Sequence, residues 1–238
     1  VKHVGSDFYA RWLAELRAST GRALPAVGEY WNGDVTELER YLAAVPDIML
    51  FDVPLHYRLH EASTCDGNVD LSRLWEGTLT HSHPSRSVTF VENHDTQPGQ
   101  SLASTVAPWF KAAAYALILL TEAGIPCVFW GDLLGTPETG DLPAVRELPT
   151  LMAIRSRAAT GPQHDAFDDP DVVGFAREGR EEAPGSGCAV IVSDRRGADK
   201  TLYVGKHHAG QEWECIIGGH PPVRITEEGM LAGTVSDG

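Results

Sequence analysis

The sequence predicts an α/β fold. Parallel βα units run over residues 1–160, and a small antiparallel β-domain follows over 161–238. Three observations carry this reading. Short apolar runs, such as Ile48-Met49-Leu50-Phe51, are too short for helices and suit strands buried on both faces. Segments of helical period separate these runs, as βα units require. After Thr160-Gly161-Pro162 the helical period stops, and short strand-like runs alternate with Gly-, Pro- and Asp-rich turns.

The elements follow in order. Ser6 or Asp7 is placed to cap a helix with an apolar face of Phe8, Trp12, Leu13 and Leu16, ending near Gly21. Residues 26–30 read as a strand. Leu38, Tyr41, Leu42 and Val45 mark an amphipathic helix by their spacing. Residues 48–51 and 87–91 are the second and third strands. A helix over 109–123 stops before Gly124 and Pro126, and residues 127–130 form the fourth strand. Val145, Leu148, Leu151 and Met152 mark a last helix. In the C-terminal part the expected strands are 172–177, 188–193, 200–204 and 213–217. A closed (β/α)8 barrel needs eight strands and ~250 residues. Four strands therefore mean a small open sheet or the second half of a barrel.

Composition narrows the function classes. Nineteen Lys and Arg against 33 Asp and Glu give a formal net charge of −14 over 238 residues. That balance opposes a nucleic-acid partner, which requires a basic face toward phosphates. The longest apolar run, residues 112–120, falls well short of the ~20 needed to cross a bilayer, so no membrane helix is expected. The four cysteines, Cys65, Cys127, Cys188 and Cys215, are widely spaced and suggest free thiols rather than zinc or a disulfide framework. The first residues contain no apolar core of a signal peptide, and both a secreted and a cytoplasmic location stay open.

The chemistry is expected at the C-terminal ends of the strands, where loops converge in a parallel architecture. Glu29 ends the first strand beside Tyr30 and Trp31. Asp52 and His56 follow the second, Glu92-Asn93-His94-Asp95 follow the third, and Asp132 follows the fourth. Acids on successive strand ends point to a shared acidic pocket. Paired carboxylates with flanking aromatics suit glycoside hydrolysis: one acid protonates the leaving oxygen and another faces the oxocarbenium-like charge. Periodicity alone leaves an acidic-site hydrolase and a metal-dependent enzyme both open.

The run Phe90-Val91-Glu92-Asn93-His94-Asp95-Thr96-Gln97-Pro98-Gly99-Gln100-Ser101-Leu102 resembles the α-amylase family of retaining glycoside hydrolases, closest to the bacterial liquefying type and its intracellular relatives. Further matches run in the same order: Val1-Lys2-His3, Gly28-Glu29-Tyr30-Trp31, Phe51-Asp52-Val53-Pro54-Leu55-His56-Tyr57 and Phe129-Trp130-Gly131-Asp132. Gly161-Pro162-Gln163-His164-Asp165 and Val192-Ser193-Asp194 extend it into the β-domain. The resemblance implies the C-terminal half of a (β/α)8 TIM barrel followed by a small antiparallel β-sandwich, its last strand falling after Gly238. It implies endo-hydrolysis of α-1,4-glucosidic bonds in a starch- or glycogen-type α-glucan.

Position by position, Glu29 matches the general acid/base and Asp95 the aspartate that holds the distorted sugar. Lys2, His3, Trp31, His94 and Gln97 match substrate-binding positions. The implied cofactor is Ca²⁺. His3 is expected to give its backbone carbonyl to one calcium ion. A second is expected on the carbonyls of Gly67, Val69 and His164 and the carboxylates of Asp165 and Asp194, an all-oxygen set that suits a hard cation. Val69 stands where the family usually has tyrosine, a change a carbonyl ligand tolerates.

The family nucleophile is an aspartate two residues before the valine matched by Val1. The resemblance therefore places it, with the other barrel half, outside these residues, and the isolated chain is expected not to hydrolyse starch by the usual route. A non-catalytic glucan-binding relative and a family enzyme of other specificity are the rival readings. Glu29, His94 and Asp95 together disfavour the first, because binding alone needs no general acid.

Overall fold

A computed structural model describes residues 1–136, 142–194 and 197–236. The chain forms two compact units. The first comprises residues 1–58, 75–90 and 123–127, and the second comprises 59–74, 91–122 and 128–238.

The first unit carries helix α1 (Ser6–Thr20), strand β1 (Val27–Gly28), helix α2 (Val35–Ala44), strand β2 (Met49–Phe51) and the start of helix α3 (Val53–Thr64). It also holds helix α4 (Leu79–Ser82) and strand β3 (Ser87–Phe90). Helix α5 (Pro108–Leu120) belongs to the second unit, and strand β4 (Ile125–Cys127) returns to the first. All four strands pair in parallel in the order β1-β2-β3-β4, as the sequence predicts. The sheet is open, with β1 and β4 at its edges. The fourth strand lies two residues earlier than expected, and Trp130 opens a helix instead. Pro126 is tolerated there because an edge strand can lack one donor.

Beneath the helices of this unit Leu13, Leu38, Leu42, Val45, Ile48, Leu50 and Leu79 form a buried core. The expected face of α1 is corrected by this packing. Leu13 is buried, but Phe8 and Trp12 are exposed, and Tyr9 and Ala10 turn inward beside Leu13. Gly5, not Ser6 or Asp7, occupies the cap position, and Asp7 lies in the first turn paired with Arg11. Helix α3 has no apolar period and was not legible as a helix. Asp52 starts it by accepting the Leu55 N–H, with Pro54 in the first turn.

The C-terminal end of α2 is closed from a distance. The Arg86 guanidinium donates to the carbonyl oxygens of Leu42, Val45 and Ile48 at 2.8–3.1 Å. These carbonyls have no partner within the helix, and a cation there also meets the negative end of the helix dipole. Arg86→Met should lower unfolding stability by about 2 kcal/mol. A denaturation curve unchanged from wild type would remove Arg86 from this role.

The second unit continues with helices α6 (Trp130–Leu134) and α7 (Leu148–Arg157). Strands β5 (Gln163–Ala166), β6 (Val172–Arg177), β7 (Cys188–Ser193), β8 (Ala198–Tyr203), β9 (Glu212–Trp213), β10 (Val223–Arg224) and β11 (Met230–Val235) follow. They form antiparallel sheets β5-β6-β7, β8-β11 and β9-β10. The last helix starts at Leu148, so Val145 precedes it. Strands β6 and β7 have the expected bounds. The polar strand β5 and the weakly apolar β11 give little sequence signal. Ala176, Leu202, Val204, Ile225 and Leu231 form the core of these strands.

Gly161 enters β5 with φ +76°, and a side chain there would collide with the Gly179 carbonyl oxygen. Arg177 on β6 donates to the Gly161 and Leu120 carbonyls, so the segment near residue 160 is bound into this unit. All four cysteines are free. No helix among the described residues is long and apolar enough to cross a membrane.

Candidate active site

In the first unit, Glu29 follows β1 directly and is half-buried. The Val1 backbone nitrogen donates to its backbone carbonyl at 2.6 Å. Its carboxylate makes no hydrogen bond or ion pair among the described residues. Aromatic rings gather around Trp31, two residues further along the chain. Trp31 Nε1 donates to the Tyr57 hydroxyl at 2.9 Å, and the Trp31 ring lies 5.8 Å from His56 and 6.1 Å from Phe90. His56 stacks on Phe90 at 5.0 Å with planes 8° apart. Lys2 Nζ donates to the Trp31 carbonyl at 3.1 Å and lies over the Tyr30 ring. Lys2, Glu29 and Trp31 thus share one strand end, while His3 is exposed.

Asp52 does not belong to an open acidic pocket. It is fully buried and accepts five bonds: Leu55 N–H and Leu79 N–H on Oδ1, and Thr80 N–H, Thr80 Oγ1 and Ser87 Oγ on Oδ2. It starts two helices and ties both to β3. Buried acids are retained when each lone pair is met in this way.

In the second unit the run after β3 folds into a tight turn. Asn93 Oδ1 accepts from Asp95 N–H at 2.9 Å and from Thr96 N–H at 3.0 Å, an Asx turn. The turn presents His94, which is exposed, and Asp95, whose side chain is 33% exposed. Their side chains approach to 3.6 Å. Gln97 points the other way. It is buried and donates to Glu92 Oε2 at 3.2 Å, so it braces the turn rather than facing a ligand.

Glu92 and Asp132 also leave the expected pocket. Both are buried around Lys111, whose ammonium lies 2.5 Å from Asp132 Oδ1 and 3.8 Å from Glu92 Oε1. The Tyr115 hydroxyl donates to Asp132 Oδ2 at 2.7 Å. Burial raises Glu92 to a pKa of about 7, against the pull of the nearby Lys111 charge. Burial pushes the Tyr115 phenol far up, with Asp132 adding to the effect, so it stays protonated. Sequence reasoning missed Lys111, although a lone lysine within an apolar helix is itself a signal. Such a charge is almost never buried unless paired.

The expected calcium ligands Gly67, Val69, His164, Asp165 and Asp194 all lie in the second unit. Leu71 N–H donates to the Pro170 carbonyl and Asp194 N–H to the Asp171 carbonyl. The loop carrying Gly67 and Val69 and the turn carrying Asp194 are thereby tied to the same stretch, 170–171. Asp194 is fully buried, while Asp165 is exposed and accepts from the Gln163 amide. His164 Nε2 faces Glu178 at 2.9 Å, which leaves its carbonyl, not its ring, for a cation. Among the described residues no three His, Cys, Asp or Glu side chains gather as a metal cluster. The donor set is three carbonyls and two carboxylates, and oxygens of that kind fit a hard cation.

No family model matches the sequence. Curated proteins do. The α-amylase of Bacillus licheniformis is 44% identical over 234 residues, 96% of this chain and 46% of that protein. The cytoplasmic α-amylase of Escherichia coli (strain K12) is 38% identical over 239 residues, 96% of this chain and 48% of its own length. The chain thus spans about half the length of the curated relatives it matches. Among solved structures, the α-amylase from Geobacillus thermoleovorans complexed with acarbose matches all of this chain and 56% of its own. It does so with a TM-score of 0.65 at 18% identity. AmyP in complex with maltose matches 98% of this chain and 60% of its own, with a TM-score of 0.63 at 15% identity. Those two structures share the fold. Over nearly its whole length the chain is thus similar in sequence to part of the curated α-amylases.

Proposed function

We propose that this chain supplies the acid/base and sugar-holding groups of an endo-acting, retaining α-1,4-glucan hydrolase. One observation carries the reading. Of the acids at the four strand ends, Asp52, Glu92 and Asp132 are committed to internal partners, which leaves Glu29 and Asp95 free to meet a substrate. In this reading Glu29 gives its proton to the glycosidic oxygen as the bond breaks, then takes one from the attacking water. Asp95 accepts hydroxyl hydrogens of the distorted glucose and bears against its developing positive charge. His94 stands beside Asp95 on the same ring. Lys2, His3 and Trp31 line the leaving-group side. A nucleophilic carboxylate completes retention, about 5–5.5 Å from the acid.

The names of the curated relatives support this, as do the maltose held by AmyP and the acarbose held by the Geobacillus thermoleovorans α-amylase. The test is the anomer released first from maltoheptaose by the full-length protein, followed by proton NMR. Retention gives the α-anomer before mutarotation. A β-anomer first, or no cleavage, rejects the reading.

Calcium enters as a structural proposal. The carbonyls of Gly67, Val69 and His164 with Asp165 and Asp194 would hold one ion, and the His3 carbonyl would serve another. A bound ion supplies cross-linking of loops, not chemistry at the sugar. Chelation by EDTA should lower the melting temperature, because an ion held only by the folded state adds about 2.7 kcal/mol at a hundredfold excess over Kd. A transition unmoved by EDTA and by added Ca²⁺ removes calcium.

A further inference from the structure

We infer that Glu92 is the positioning residue for Asp95, holding the turn that presents it through the Thr96 hydroxyl and the Asn93 side chain. The inference rests on the reading of Asp95 given above. Glu92 lies two residues past β3 and never reaches the surface. Its Oε2 accepts from Thr96 Oγ1 at 2.5 Å and Gln97 Nε2 at 3.2 Å, and its Oε1 accepts from Val106 N–H at 2.5 Å. Thr96 Oγ1 in turn accepts from Asn93 N–H at 3.0 Å, and Asn93 Oδ1 accepts from Asp95 N–H. One unbroken chain of bonds runs from the buried carboxylate to the backbone of Asp95.

The second half of the turn is held from the other side. Leu102 N–H donates to the Asp95 carbonyl, and Ser104 N–H and Thr105 Oγ1 donate to the Thr96 carbonyl. Asp95 is therefore fixed in its backbone while its carboxylate stays accessible, the arrangement that precise transition-state contact requires.

The charge of Glu92 matters to this arrangement. The groups facing it are Lys111 and Tyr115 from α5, Asp132 from α6, and the donors of the turn. Every hydrogen-bonding partner of its two oxygens is at present a donor. A proton arriving on Glu92 must displace one of them, and the Thr96 hydroxyl is the one able to reverse. Its hydrogen then turns to the Asn93 carbonyl, 3.2 Å away. Burial raises Glu92 to about 7, so this rearrangement is expected between pH 6 and pH 8.

The test uses the full-length, calcium-loaded protein with maltoheptaose. Thr96→Val removes the hydroxyl that donates to Glu92 while keeping the Glu92, Lys111 and Asp132 side chains themselves, and Thr96→Ser restores it. The expectation is a kcat loss of about 10- to 100-fold in T96V, the order a misplaced catalytic group costs. KM should be nearly unchanged and T96S should recover most of the rate. E92Q should show a similar loss, and wild-type kcat should fall from pH 8 to pH 6 while that of E92Q does not. Wild-type kcat in T96V overturns the inference, as does an E92Q profile parallel to wild type. D95N serves as the control. If D95N retains wild-type kcat, the proposed function fails; if D95N is inactive while T96V and E92Q match wild type, only the role of Glu92 fails.

Discussion

Glu29→Gln in the full-length protein should lower kcat on maltoheptaose by about 10²–10⁴-fold, the usual contribution of a general acid/base. Glutamine has nearly the shape of glutamate and keeps one acceptor, so glucan binding should change little. It cannot deliver a proton to the leaving oxygen. The loss in kcat/KM should therefore shrink on a dinitrophenyl maltooligosaccharide, whose leaving group departs without protonation, and a glycosylation burst should appear while kcat stays low because the attacking water lacks its base. Glu29 suits the task because nothing among the described residues consumes its carboxylate, while its backbone is fixed at the end of β1. Near-normal kcat on maltoheptaose would remove Glu29 from the chemistry. Equal losses of kcat/KM on both substrates would mean that the variant disturbs the site rather than one proton transfer.

Asp52→Ala should give the largest stability loss, about 3 kcal/mol or more. The carboxylate satisfies three backbone N–H groups and two hydroxyls in a fully buried position. Leaving several such donors without acceptors costs about 1–3 kcal/mol each, less what relaxation and entering water recover. Chemical denaturation of the first unit's signal would measure this. Turnover of the fraction that stays folded at low temperature should remain near wild type, because Asp52 reaches no substrate. A stable variant without turnover would return Asp52 to the acidic pocket that the sequence suggests.

The contrast between Asp52 and Glu29 shows where sequence reading works. Buried strands were legible because parallel sheets covered on both faces select continuous apolar runs, and β2, β3, β6 and β7 stand close to where those runs lie. Placement of acids after strands was legible for the same reason. Which acids face inward was not. Asp52 is consumed by Thr80 and Ser87, 28 and 35 residues away, and Glu92 by Thr96, Gln97 and Val106. Partners that distant leave no periodic trace. Helix α3 leaves little periodic signal because its start depends on the Asp52 side chain and its surface mixes His, Tyr and Arg with Leu. The turned face of α1 has a similar origin, since Tyr9 and Leu13 rather than Trp12 meet the core around Leu38 and Leu42.

The central claim concerns one glucose residue and two acids. A crystal structure of the full-length E29Q variant with a maltooligosaccharide spanning the scissile bond tests it most directly. The side chain at position 29 should lie within hydrogen-bond distance of the glycosidic oxygen, and the Asp95 carboxylate on hydroxyls of the glucose that contributes the anomeric carbon. A glucan held elsewhere, or positions 29 and 95 set against different sugars, would contradict it.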